Sequence, residues 1–178
     1  LNDKQRDKLP NLTVLEEAQT EYETVLEEQA ETEACVQEAE NAIDAIGSVT
    51  LDSGEAIRAA RAAYEAVLEE AREQVTNRET LSAAEQTFDA LAIQATTDAI
   101  NAIGDVTLDS GEAIRAAREL YDGFSGAIQS QVANRDVLVR DEEQFSALRV
   151  QHVNDLITER LRSRARIASA RPKTPTTP

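Results

Sequence analysis

The 178-residue chain has no tryptophan and no methionine, and only three tyrosines and three phenylalanines. So few large side chains make for a thin core and leave little to stack on a ligand. With one cysteine and one histidine, neither a Cys/His metal cluster nor an internal disulfide can form. No apolar run approaches the ~18 residues of a membrane span, so direct membrane insertion is not expected. Lys and Arg number 18 against 34 Asp and Glu, for a formal net charge of −16. That deficit of basic surface argues against nucleic acid as a partner, and against anionic membranes. No glycine-rich phosphate loop occurs. Carboxylates abound, but on exposed helix faces with nothing to raise their pKa or shape a pocket. No catalytic residue, cofactor site or metal site is therefore assigned, and no enzymatic activity is expected.

What the chain does contain is a repeat. Ala45–Arg61 (AIGSVTLDSGEAIRAAR) returns as Ala102–Arg118 (AIGDVTLDSGEAIRAAR), differing only at Ser48/Asp105, at an offset of 57. The same offset relates Tyr64 to Tyr121, Val75 to Val132, Asn77 to Asn134, Leu81 to Leu138, Phe88 to Phe145 and Ile100 to Ile157. A partial third copy opens the chain. Leu9, Asn11, Leu15, Tyr22 and Val25 match Val75, Asn77, Leu81, Phe88 and Leu91 at an offset of 66. A unit of this length is one supersecondary motif, and such units stack into elongated arrays. The chain has no initiator Met and enters in mid-repeat, so a piece of something longer is expected.

Each unit reads as helix. Ala, Glu, Leu, Arg and Gln dominate, and all favour it. From Ile57, apolar positions step by three and four through Ala60, Tyr64, Val67, Ala71 and Val75. That is one stripe on one helix. A second stripe runs Leu81, Ala84, Phe88, Leu91. Gly47 and Gly104 follow apolar helix ends and are expected to close them in the left-handed conformation. Asp52 with Glu55, and Asp109 with Glu112, have capping-box spacing. Asn11, Asn77 and Asn134 read as N-caps. A Ca²⁺ site on Asp52 or Asp109 is not supported, since no spaced ring of oxygen ligands follows. Two glycines and Ser125 in Tyr121–Gly126 predict a break in the middle helix of the second copy, with Ser125 capping the restart, and Asp3 reads as the same cap. No Gly or Pro lies between Asn77 and Ile103, so one helix is expected to leave one repeat and enter the next. At the first junction nine extra residues predict a helix roughly 13 Å longer.

Charge is uneven. Between Leu9 and Glu55 there is no Lys or Arg among ten glutamates from Glu16 to Glu40, while the far end carries Arg160, Arg162, Arg164 and Arg166. This reads as a solvated acidic helix and a basic helix end whose cations complement the dipole; the sharper reading is a head-to-tail contact between molecules or with flanking repeats. Cys35 sits among the glutamates, which disfavour its thiolate. His152 reads as a surface residue. The closing Arg171–Pro178, rich in Pro and Thr, is an extended linker.

The motif AIGxVTLDSxxAIxAAR, followed by AxY, VxN and LxxAE, resembles an α-helical repeat of large surface proteins in Gram-positive gut bacteria. Here it is carried by Ala45–Arg61, Ala63, Tyr64, Val75, Asn77 and Leu81–Glu85, and by Ala102–Arg118 with Tyr121, Val132, Asn134, Leu138 and Glu142. It departs at Asp141, where Ala84 stands in the first copy, and after Ile157. The resemblance implies an all-α fold of tandem three-helix bundles joined by long continuous helices, a spectrin-like elongated array. The expected parts are a partial preceding repeat (1–31), repeats at 32–93 and 94–157, and a basic helix end with a Pro/Thr linker (158–178). It also implies an extracellular place, on a bacterial cell-wall-attached parent. The implied function is non-enzymatic binding of a host protein, immunoglobulin first, through helix faces. The alternative is a passive spacer projecting a distal adhesive or catalytic domain. Arg58, Arg61, Arg115 and Arg118 are the candidate partner contacts. Pairing with glutamates across the bundle would favour the spacer.

Overall fold

The computed structural model describes residues 11–169. The Asp3 cap and the Pro/Thr linker lie outside them. All regular structure among the described residues is helical. It comprises α1 (Leu12–Asp44), α2 (Gly54–Ala66), α3 (Arg78–Asn101), α4 (Gly111–Asp122), α5 (Gly126–Gln131) and α6 (Arg135–Ser169), with 3-10 turns at Leu51–Ser53 and Glu69–Gln74. Helix α1 is unbroken over 33 residues and α3 over 24. The nine residues added at the first junction therefore lengthen a single helix. The chain divides into two compact units, one up to Leu91 and one from Ala92, so α3 supplies residues to both.

In the first unit, Ala39, Ile43 and Ile46 from the end of α1 meet Ile57 and Ala60 of α2. Val67, Ala71 and Val75 join them from the connection, and Leu81 and Ala84 from the start of α3. In the second unit, Ile100 and Ile103 meet Ile114 and Ala117 of α4, Val132, and Leu138 of α6. All six members of the second core have their partner 57 residues earlier in the first, so the two cores share one design. Ala60 and Ala117 are wholly buried. A methyl group at the centre lets the middle helix approach its neighbours closely, and this compensates for the shortage of large side chains.

The middle helix is shorter than its stripe suggests. In the first copy α2 ends at Ala66, Val67 and Leu68 turn extended (ψ 132° and 139°), and a 3-10 turn follows. Val67, Ala71 and Val75 are still buried, but not from one helix. Arg72 makes the break tolerable. Its Nε and Nη2 donate to the carbonyls of Val67 (3.1 Å) and Glu65 (2.9 Å), which a helix end leaves free. In the second copy Gln129, 57 residues on, donates to Tyr121 O and Phe124 O. The break read at Gly123–Gly126 is present, and Ser125 caps α5 by accepting from the Ile128 N–H.

Repeat equivalence does not ensure burial. Leu81 is 1% exposed and Leu138 0%, whereas their counterpart Leu15 is 64% exposed. Leu81→Ala and Leu138→Ala should each cost about 2–5 kcal/mol in the urea unfolding of their own unit. Leu15→Ala should cost less than about 0.5 kcal/mol.

Candidate functional site

The repeated segment has an inner and an outer face, and the turn before α2 sets both. Gly47 and Gly104 hold positive φ (58° and 60°), which reverses the chain after the preceding helix. The capping hydrogen bonds that follow come from hydroxyls, and not from Asp52 and Glu55 as the spacing suggested. Thr50 is extended, its Oγ1 accepts from the Asp52 N–H (3.3 Å), and its own N–H donates to Ser53 Oγ (3.0 Å). Thr107 and Ser110 repeat this. Asp52 and Asp109 come two residues too late to cap the turn. With Glu55 and Glu112 they place negative charge at the helix start, where it complements the dipole.

Asn77 and Asn134 stand immediately before α3 and α6, and their carbonyls accept the first helical N–H bonds. Their side chains do not cap. Asn77 Nδ2 donates to Glu40 O (3.0 Å) and Asp44 Oδ1 (2.8 Å), tying the start of α3 to the last turn of α1. Asn134 Nδ2 likewise donates to Thr97 O and Asn101 Oδ1. An amide aimed at a helix C-terminus finds acceptors there, so its nitrogen is used and its oxygen is not. Asn11 precedes α1 without a side-chain cap bond.

On the inner face, Arg61 Nε donates to Glu85 Oε1 (2.7 Å) and Nη2 pairs with Oε2, a bidentate bridge from α2 to α3. Arg118 makes the same bridge to Glu142 of α6, at 2.7 Å for both bonds. Each guanidinium also lies over a ring, 5.5 Å from Tyr64 and 5.4 Å from Tyr121. The hydrogen bonds to the carboxylates raise the pKa of both arginines further. Arg61 and Arg118 are thus engaged inside their own units. Gly54 and Gly111, which sequence reasoning passed over, belong to this face. A Cβ on Gly54 would stand 2.9 Å from Phe88 Cζ, and one on Gly111 2.6 Å from Phe145 Cζ. Glycine lets the ring lie on the backbone. The signal was present as a glycine and a phenylalanine retained together in both copies.

On the outer face, Leu51 and Leu108, Asp52 and Asp109, Glu55 and Glu112, and Arg58 and Arg115 are all exposed. Arg115 makes only long pairs with Glu112 and Glu119 (3.9 Å each). Arg58 forms no ion pair among the described residues. Cys35 is half-buried against the first core. It lines an open groove with Val25, Leu68 and Ala71 that is rimmed by Glu28, Glu33 and Glu70. His152 is exposed on α6. Among the described residues no group of His, Cys, Asp or Glu could hold a metal ion, and no helix is long and apolar enough to cross a membrane. Compared with family models, curated proteins and solved structures, the chain matches none.

The joint between α1 and α3 is sensitive to acid. Thr76 Oγ1 (2.6 Å) and N–H (2.9 Å) both donate to Glu40 Oε1, and these bonds, the hydroxyl's first, lower the Glu40 pKa. A lowered carboxylate stabilises the fold above its unfolded-state pKa, and the contribution is lost as pH falls through the folded-state value. NMR titration should find the Glu40 carboxyl below the usual glutamate range. Thr76→Val should move it part of the way back while leaving the other glutamates in place.

Proposed function

We propose that the chain is a non-enzymatic module of tandem three-helix bundles, joined by long helices into an elongated array. We further propose that it belongs to an extracellular bacterial surface protein and binds a host protein through a repeated helix face. The observation that supports binding is where identity between the copies falls. Buried Ile57/Ile114 and Ala60/Ala117 are identical, as a shared core requires. So are the exposed Leu51/Leu108, Asp52/Asp109, Glu55/Glu112 and Arg58/Arg115, which the core does not constrain. Just beyond Arg61 the exposed positions diverge, with Ala62 against Glu119, Glu65 against Asp122 and Glu73 against Ser130. An exposed leucine, an arginine and two carboxylates on one face make a surface suited to a partner protein. Immunoglobulin is the first candidate, on the resemblance of the repeat. Two equal faces on one chain would bind a multivalent partner with avidity.

The second reading, a spacer, draws on Arg61 and Arg118. Both are engaged by glutamates across their own units, as a load-carrying rod would have them, which leaves Arg58 and Arg115 as the candidate contacts.

Incubation with serum and mucosal secretions separates the two. The binding reading expects capture of immunoglobulin with two sites per chain. On a dense immunoglobulin surface, Arg58→Glu or Arg115→Glu alone should weaken apparent affinity about 100-fold, and the double substitution should remove binding. Capture of no protein would leave the spacer.

A further inference from the structure

Among the described residues, two helix segments carry apolar stripes that stay exposed. At the start of α1 these are Leu15, Tyr22 and Val25, with Val14 and Leu26 beside them. At the end of α6 they are Val150, Val153, Ile157 and Leu161. The α6 stripe steps by three and four and the α1 stripe by seven and three, the spacing of a helix that packs against another. We infer that they are the two halves of one contact between copies of this chain, in which the acidic start of α1 in one copy docks on the basic end of α6 in the next.

The repeat register is the first argument. Leu15 corresponds to Leu81, and Ile157 to Ile100, and both counterparts are 1% exposed. Within the units, each leucine of this type shares a core with an isoleucine of that type. Leu81 lies with Ile43, and Leu138 with Ile100. Leu15 and Ile157 are one leucine and one isoleucine of these two types, and both stand exposed among the described residues. The polar tie has its counterpart as well. Asn77 and Asn134 donate to the carbonyls of Glu40 and Thr97, and the next members of these series are Asn11 and Asn154.

Charge is the second argument and fixes which end meets which. Glu21, Glu28 and Glu33 flank the α1 stripe, and residues 12–44 contain no Lys or Arg. Arg160, Arg162 and Arg164 crowd the end of α6. Pairing α1 with α1 would set carboxylate against carboxylate, whereas α1 against α6 sets it against guanidinium. The contact has no middle helix to complete its core, so it depends on these charges and salt weakens it. Its two surfaces differ, so it is heterologous, and copies join head to tail. It does not rest on the host-protein reading.

Sedimentation of the full chain tests this. At about 20 mM salt the weight-average mass should climb well above the monomer with rising concentration, and at about 0.5 M it should return to monomer. Monomer at every concentration in low salt would overturn the contact. Two exposed-face variants test its polarity, each checked for unchanged helix content. Glu21→Lys/Glu28→Lys/Glu33→Lys and Arg160→Glu/Arg162→Glu/Arg164→Glu should each fail to self-associate, yet associate when mixed, since both contacts between unlike variants then set carboxylate against cation. Self-association that persists in either variant alone, or mixed variants that remain monomeric, would also overturn it.

Discussion

The close approach of the middle helix to its neighbours governs the rest of this structure. With few rings and no tryptophan, the cores cannot be filled by large residues. They are closed instead by Ala60 and Ala117 at full burial, and by Gly54 and Gly111 lying directly under Phe88 and Phe145. Small residues on one helix admit large ones from another, so dispersion contacts survive although the side chains are short. The Arg61–Glu85 and Arg118–Glu142 bridges sit at the edge of this contact. Two parallel hydrogen bonds fix the register of the middle helix on its neighbour.

That arrangement divides the labour of the repeated segment. One side of α2 and α4 is consumed by packing and by the inner arginines. The other is left with a leucine, two carboxylates and an arginine in each copy. A surface that the core does not constrain, yet is the same twice, is where the proposed binding function rests. The exposed stripes at the start of α1 and the end of α6 are a separate resource, since they are core-type residues that stand in solvent.

The differences between copies show which parts of the design are exchangeable. Arg72 becomes Gln129, and both donate to the carbonyls freed where the middle helix breaks. Glu40 with Thr76 becomes Thr97 with Ala133, losing the carboxylate and its hydroxyl donor together, while the asparagine tie persists beside them. Ala84 becomes Asp141, which is 2% exposed and engaged by Arg140 at 2.8 Å. A buried carboxylate is kept tolerable by a neighbouring guanidinium.

Local signals in the chain specify the helices apart from the break after Ala66, the turns at Gly47 and Gly104, the restart at Ser125 and the unbroken course of α1 and α3. These follow from propensity, glycine stereochemistry and apolar spacing, all of which act within a few residues. It also disclosed the core, because a stripe marks the face that avoids water. Tertiary structure decided the partners. Thr50 and Ser53 displaced Asp52 and Glu55 as caps because the backbone turned extended at Thr50. Asn77 turned its amide to the end of α1 instead of to its own helix. Arg61 found Glu85, 24 residues on, and Arg58 found no ion partner among the described residues. Leu15 and Leu81 read alike in the chain and part company in space, since burial depends on which neighbours arrive and a repeat pattern records only what each residue is suited to meet.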